Sequence, residues 1–271
     1  PNCNDEISFT FTVFPLLDIT IEGGFICVDS QTGDVLRTFT MNSGLNPAFF
    51  TVNWFLNGNL MGTGPSYTAS QAGVYTVEFI KLTPDVGANC NYNSTTVTII
   101  QSGPAVADFT VSTPFENNTF ITVNLTGGFG DYLYQLVYPD GSVTEYQSSN
   151  VFTNLPTGEY YVNIYDVLGD CSPTVIGPIY IINYPNFFTP NGDGYNETWN
   201  IFDLSHQSEA VIYIFDRFGK LLKQLSPAGP GWDGKFNGQD LPSTDYWFLV
   251  EYFPQNSTEK QQFRAHFSLI R

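Results

Sequence analysis

The densest run of side-chain oxygens in the chain is Asn191-Gly192-Asp193-Gly194-Tyr195-Asn196-Glu197. Short amide and carboxylate donors at close spacing are what a calcium loop supplies, so Asn191, Asp193 and Asn196 are candidate ligands. The spacing departs from a helix-loop-helix calcium loop, because Tyr195 stands where a third short oxygen ligand belongs and the sixth position is not glycine. A glycine-rich turn in which Asp193 and Asn196 bond backbone amides accounts for the same residues without a metal. That is the simpler reading, with calcium as the alternative and no other cofactor called for. Catalytic constellations are hard to assemble. His206 and His266 are the only histidines, and no Gly-x-Ser-x-Gly elbow is present. Cys3, Cys27, Cys90 and Cys171 are too scattered for the paired ligands of a zinc site. The chain is expected not to be an enzyme. Trp199, Trp232 and Trp247 offer rings on which a sugar stacks, but such rings more often anchor a core or an interface.

The elements that must position these residues are strands. Aromatic residues make up 16% of the 271, charged residues 13%, and 24 Gly and 17 Pro recur throughout, which breaks any helical run. No stretch holds a 3.6-residue apolar period, whereas period-two alternation is frequent, so the fold class is all-β. His266 illustrates the pattern: Phe263, Ala265 and Phe267 alternate with Arg264, His266 and Ser268, which turns His266 toward solvent or a partner.

Net charge is −17, which excludes nucleic acid and an anionic bilayer surface as partners. The charge is uneven. Residues 1–184 carry only Arg37 and Lys81 against 16 acidic side chains, while 185–271 carry 7 basic against 10 acidic. An acidic stalk that repels its copies, followed by a nearly neutral end able to dock, fits this distribution. No apolar run is long enough to span a bilayer as a helix.

Three segments share one pattern, a Cys followed by polar residues and an alternating strand, at Cys3, Cys90 and Cys171, spaced 87 and 81 residues apart. That is the length of a β-sandwich. The expected organisation is therefore the last strand of a truncated upstream domain over 1–14, a sandwich over 15–103, a second over 104–184 and a third over 185–271. The order Cys27, Trp54, Cys90 is that of immunoglobulin-like sandwiches, and a Cys27–Cys90 bridge is expected, the alternative being two buried thiols. Such a bridge is worth about 4 kcal/mol in the chain-entropy account. Cys3 would have lost its partner upstream, and Cys171 has no evident partner. Asn57-Gly58 between two strand halves signals a type I′ hairpin.

The segment 104–184, with Gly127-Gly-Phe-Gly-Asp-Tyr132 and Leu155-Pro156-Thr-Gly158-Glu-Tyr160, resembles the tandem repeats of gliding-motility adhesins. The resemblance of 185–271 is closer. Phe188-Thr-Pro-Asn-Gly-Asp-Gly-Tyr-Asn196, Ile214-Phe-Asp-Arg-Phe-Gly219, Trp232-Asp-Gly234, Asn237-Gly-Gln-Asp-Leu-Pro242 and the terminal Ile270-Arg271 occur in the order found in the gliding-motility-associated C-terminal domain. This is the type B sorting domain of the type IX secretion system. Glu197, Asp216 and Thr244 depart from its pattern. Thr244 falls where the second sandwich has Gly158, and a positive φ there would strain it. The turn is expected to have changed type.

The resemblance implies a folded sorting domain and export through the type IX translocon. It implies an outer-membrane β-barrel partner and a shuttle protein, and a chain held at the cell surface of a Gram-negative bacterium, as in large adhesins. Asp193, Arg217, Trp232, Asp233 and Arg271 are the residues expected to contact the partner. Extracellular glycan or another surface ligand is a possible target of the upstream domains. The alternative reading is a set of carbohydrate-binding modules ending an exported polysaccharide-degrading enzyme.

Overall fold

Burial alternates with a two-residue period through the longer strands, which places Tyr75, Val77 and Phe79 inside while Val74 and Thr76 face out. The structure, a computed structural model, describes residues 7–10, 18–83, 91–255 and 257–271. Those residues form strands and one 3-10 turn, Phe202–Leu204, with no α-helix among them. The strand expected over 1–14 falls mostly outside the described residues, and 7–10 carry no regular structure. Packing divides the chain into two units. One comprises 1–105 with 127–132 and 165–173, and the other comprises 106–126, 133–164 and 174–271.

In the first unit the strands are β1 (Gly24–Val28), β2 (Val35–Arg37), β3 (Phe39–Asn42), β4 (Phe50–Leu56), β5 (Asn59–Thr63), β6 (Ser66–Ala69), β7 (Gly73–Lys81) and β8 (Tyr92–Ser102). Six of them make a sheet in the order β2-β1-β8-β7-β4-β5, with β1 parallel to β8, and β3 pairs with β6. Asn57 and Gly58, at φ 51° and 78°, turn β4 into β5 as a type I′ hairpin requires. Trp54 is fully buried and its indole N–H donates to the carbonyl of Gly64 at 2.9 Å.

Cys27 is bonded to Cys171, not to Cys90. The register explains the correction. Cys27 lies opposite Ser102, the last residue of β8, whereas Tyr92 opens that strand. Ser102 in turn binds the loop that carries Cys171, and that loop brings Cys171 to Cys27; Cys3 and Cys90 lie outside the described residues. The loop that delivers Cys171 is built around buried Asp166, whose carboxylate accepts the Ser102 hydroxyl at 2.7 Å and the backbone amides of Leu168, Gly169 and Cys171 at 3.1, 3.2 and 3.2 Å. A buried carboxylate needs such donors. A Cβ at Gly169 would meet Ser102 Cβ at 2.4 Å, so only glycine fits the closure. Arg37 donates to the carbonyls of Gly169 and Asp170 on the same loop.

The second unit holds β9 (Val106–Val111), β10 (Phe120–Gly127), β11 (Tyr132–Val137), β12 (Val151–Thr153), β13 (Gly158–Asp166) and β14 (Thr174–Ile181), as sheets β12-β10-β9 and β11-β13-β14. The ends of β10, β11 and β13 nearest the loops cluster with the first unit. Beyond them come β15 (Phe187–Phe188), β16 (Val211–Phe215), β17 (Leu221–Leu225), β18 (Lys235–Phe236), β19 (Gln239–Asp240), β20 (Thr244–Tyr252) and β21 (Gln261–Leu269). Five form the sheet β15-β21-β20-β16-β17, with β15 parallel to β21, and β18-β19 is a hairpin turned by Asn237-Gly238 at φ 53° and 79°.

One device recurs three times. The hydroxyls of Tyr75, Tyr160 and Tyr246 donate to the carbonyls four residues upstream, of Gln71, Pro156 and Pro242, at 2.9, 2.8 and 2.9 Å. This is the tyrosine corner of immunoglobulin-like sandwiches. Burial pushes the Tyr160 hydroxyl up to about 12. The first two corners have a glycine two residues before the tyrosine, Gly73 and Gly158, at φ 148° and 143°. Thr244 holds the third position without a positive φ, so the turn has changed type and the tyrosine bond survives.

Peptide mapping without reductant is expected to recover Cys27 linked to Cys171; recovery of a Cys27–Cys90 peptide defeats the pairing. The bridge spans 144 residues of sequence, so replacing both cysteines by serine is expected to cost about 5 kcal/mol in the chain-entropy account, read as a lower urea midpoint.

Candidate functional site in the C-terminal sheet

The last sheet buries one face in an aromatic cluster. Trp199 stacks on Phe267 at 3.9 Å between centroids and 10° between planes, and Phe188, Trp232, Tyr246 and Phe248 pack around the same ring. Trp199 and Trp232 also exchange two backbone hydrogen bonds of 2.9 Å, and their indole N–H groups donate to the carbonyls of Pro185 and Lys235. Buried Asn200 donates to the carbonyls of Ser226, Pro227 and Gly229 and accepts the amide of Ile201, which folds 226–229 over the cluster.

These contacts decide the fate of the residues expected to touch a partner. Trp232 is 1% exposed and is a core residue, so its assignment as a contact is corrected. Trp199 is likewise buried, and a sugar platform of Trp199, Trp232 and Trp247 does not form. Asp233 is exposed, but its carboxylate accepts the amide of Lys235 at 3.1 Å and shapes a turn. Arg271 is drawn to the same end. It pairs with Asp240 at 2.8 Å and donates to the carbonyl of Gly234 at 3.2 Å, and a Cβ at Gly234 would stand 3.0 Å from its guanidinium.

Asp193 sits in a separate turn and accepts the amide of Tyr195 at 2.8 Å and the side-chain N–H of Asn191 at 2.9 Å. Those two bonds hold its carboxyl below the usual carboxylate range. Asn191 in turn accepts the amide of Asp193, and Asn196 offers its backbone carbonyl to Thr189. The side-chain oxygens of Asn191 and Asp193 are thus engaged by the turn itself, and the structure joins Asn196 to it through the main chain. Among the described residues no cluster of three or more His, Cys, Asp or Glu is arranged to hold a metal.

Arg217 behaves differently. It lies in the turn from β16 to β17, where Asp216 accepts the amides of Phe218 and Lys220 at 2.9 Å and Gly219 has φ 81°. Its guanidinium lies 4.8 Å from the ring centroid of Phe218, which is 81% exposed. Beside it opens a hollow of about 470 Å³ on the outer face of the sheet, lined by Phe215, Arg217, Trp247, Leu249 and Arg264 among others. A second, of about 420 Å³, borders Arg217 and Phe218 together with Lys220 and Phe236. The register builds this face: Trp247 lies between Phe215 and His266, and Leu249 between Tyr213 and Arg264. His266 is 4.0 Å from the Asp245 carboxylate, whereas Arg217 and Arg264 make no ion pair among the described residues.

Half-exposed aromatic rings beside unpaired guanidinium groups suit docking to a protein surface. Sequence reasoning missed Arg264 and placed Trp247 with two buried tryptophans. The signal was present in β20, where Tyr246, Phe248 and Val250 face the core and Trp247 and Leu249 must face away.

One comparison with known proteins falls on this domain. Residues 182–267 match the family model of the CHU_C type IX secretion signal domain, over the segment whose motifs carry the resemblance. No curated protein matches. Among solved structures, immunoglobulin domains 1–5 of Sidekick-1 align at 12% identity and TM-score 0.38, covering 93% of this chain and 57% of that one. The chain therefore spans little more than half the length of that fragment. A titin I-band fragment aligns at 11% identity and TM-score 0.36, covering 93% and 96%. Fibronectin(III)-like modules of Clostridium thermocellum CbhA align at 11% and 0.32, covering 60% and 94%.

Trp232→Ala is expected to cost roughly 3–5 kcal/mol, as removal of a buried ring does, whereas Trp247→Ala is expected to stay within about 1 kcal/mol. Thermal melts of the two variants test the division between core and face, and equal losses would refute it.

Proposed function

We propose that the C-terminal domain directs this chain through the type IX secretion machinery and that the machinery reads its folded surface. The family match over 182–267 carries the reading. The surface in question is the outer face of β16, β20 and β21, where Phe215, Trp247 and Leu249 supply apolar area and Arg217 and Arg264 supply charge with no ion pair among the described residues. Such a face suits a folded export determinant, because the rings of the inner face are taken up in its own core. The near balance of charge in 185–271, against the strong excess of acid in 1–184, supports approach of this end and no other.

In the finer reading the chain belongs to a surface adhesin. Its acidic sandwiches act as a non-catalytic stalk, and a β-barrel partner in the outer membrane with a shuttle protein receives the C-terminal domain. Movement in gliding motility belongs to the same reading.

Surface display in the parent bacterium, measured by protease accessibility on intact cells, tests the proposal. Deleting 182–271 is expected to abolish display, and Trp247→Ala with Arg264→Ala to reduce it about tenfold or more, as loss of paired interface anchors does. Normal display after the deletion sinks the export reading. Normal display of the double variant with loss in the deletion moves recognition to another face.

A further inference from the structure

Phe115 is a bulky residue held at φ 70°, a conformation that side chains other than those of Gly, Asn and Asp rarely adopt. It lies between β9 and β10, yet its ring belongs to the aromatic cluster of the C-terminal sheet. It stacks on Phe263 at 4.4 Å and 21°, meets Tyr252 edge-on at 5.2 Å, and lies 6.1 Å from Tyr184. Its amide donates to the carbonyl of Ile182 at 2.9 Å. Backbone strain of this kind persists where surrounding contacts over-determine it.

Further contacts surround the ring within the same unit. The side chain of Gln255 accepts the amide of Tyr180 at 2.8 Å and donates to the carbonyl of Pro178 at 2.6 Å. The rings of Tyr180 and His206 stack at 3.8 Å and 8°. Asp203 is half-buried, and that burial raises its carboxyl above the usual range, against hydrogen bonds from the Asn183 backbone and the Thr157 side chain. Burial also lowers the His206 imidazole below its ordinary value.

We infer that the sandwich of 106–181 is the docking partner of the C-terminal domain, with Phe115 as the knob and Tyr184, Tyr252 and Phe263 as its socket. The two sandwiches then open together rather than independently. The docked sandwich also backs β20 and β21 from the side opposite Trp247 and Arg264, because Tyr252 and Phe263 are on the inner face of those strands. The polar ties through Gln255 and Asp203 fix the register of the joint, and the apolar socket supplies its strength.

Amide hydrogen exchange on the full chain tests this. In the unaltered protein, amides of β13–β14 and of β20–β21 are expected to share one level of protection. Phe115→Ala is expected to raise exchange in both sets by about tenfold or more. Phe115→Gly, which removes the ring and relieves the backbone, is expected to do the same to a lesser degree. Gln255→Ala shifts both sets in the same direction while keeping the ring in place, and it serves if the Phe115 variants do not fold. Phe187→Ala, at a 48% exposed ring of the same sheet, is expected to change neither set. A rise confined to one sandwich, or no rise with Phe115→Ala and Gln255→Ala, overturns the inference. Export is not read in this experiment, so its outcome is separate from that of the sorting proposal.

Discussion

Phe267 lies toward the C-terminal end of β21, and its ring is the contact on which the C-terminal sheet depends. Trp199 covers one face of it, and Phe188, Trp232, Tyr246 and Phe248 approach from the remaining directions. The five partners come from four stretches of sequence, so a single buried ring gathers β15, the segment after the 191–197 turn, the 231–234 turn and β20. Aromatic pairs add about 0.5–1.5 kcal/mol beyond the area they bury. With so many rings meeting at one point, the short strands β15, β18 and β19 need little pairing of their own. Two glycines beside the cluster, Gly231 and Gly234, follow from the same crowding. Gly231, at φ 89°, passes so close to Trp199 that a Cβ would lie 3.0 Å from its carbonyl.

Local signals in the sequence were legible where the physics is local. Asn57-Gly58 reads as a type I′ turn because two consecutive residues must adopt positive φ, and no distant contact enters that requirement. Several of the spaced motifs of 185–271 were legible for a related reason, since Asn191-Gly192, Phe218-Gly219 and Asn237-Gly238 each sit in a local turn. The disulfide was not legible. The order Cys27, Trp54, Cys90 fits an immunoglobulin-like sandwich, but pairing depends on which end of β8 lies beside Cys27. The parallel register of β1 on β8 decides that, and it is a long-range fact. Cys171 reaches Cys27 through a loop organised by Asp166, a residue that looks unremarkable in sequence because acidic residues are abundant around it.

Trp232 and Trp247 differ in the same way. Both are tryptophans near turns in an aromatic-rich segment, and composition cannot separate them. Their exposures are 1% and 42%: the isolated bridge to Trp199 holds Trp232 in the core, whereas strand phase turns Trp247 outward. A one-residue shift in β20 would exchange Tyr246 and Phe248 for Trp247 and Leu249 on the inner face. The tyrosine corner fixes that phase, because the Tyr246 hydroxyl must reach back to the carbonyl of Pro242. A bond worth about 1 kcal/mol therefore sets which side chains the domain shows to its surroundings.

The charges complete the argument. Of the seven cations in 185–271, several are committed inside the domain: Lys220 lies 4.3 Å from the ring centroid of Phe236, Lys260 5.6 Å from that of Phe253, and Arg271 pairs with Asp240. Such uses hold the fold and leave little charge for a partner. Arg264 is exposed on the strand face beside Leu249, and Arg217 rests on a ring that is itself open to solvent. A carboxylate approaching either meets a guanidinium with no competing ion pair among the described residues, next to apolar area, where a charged hydrogen bond is stronger than at an open surface. The same residue types thus serve the fold in some positions and lie open on the surface in others, and local position in turn or strand makes the division.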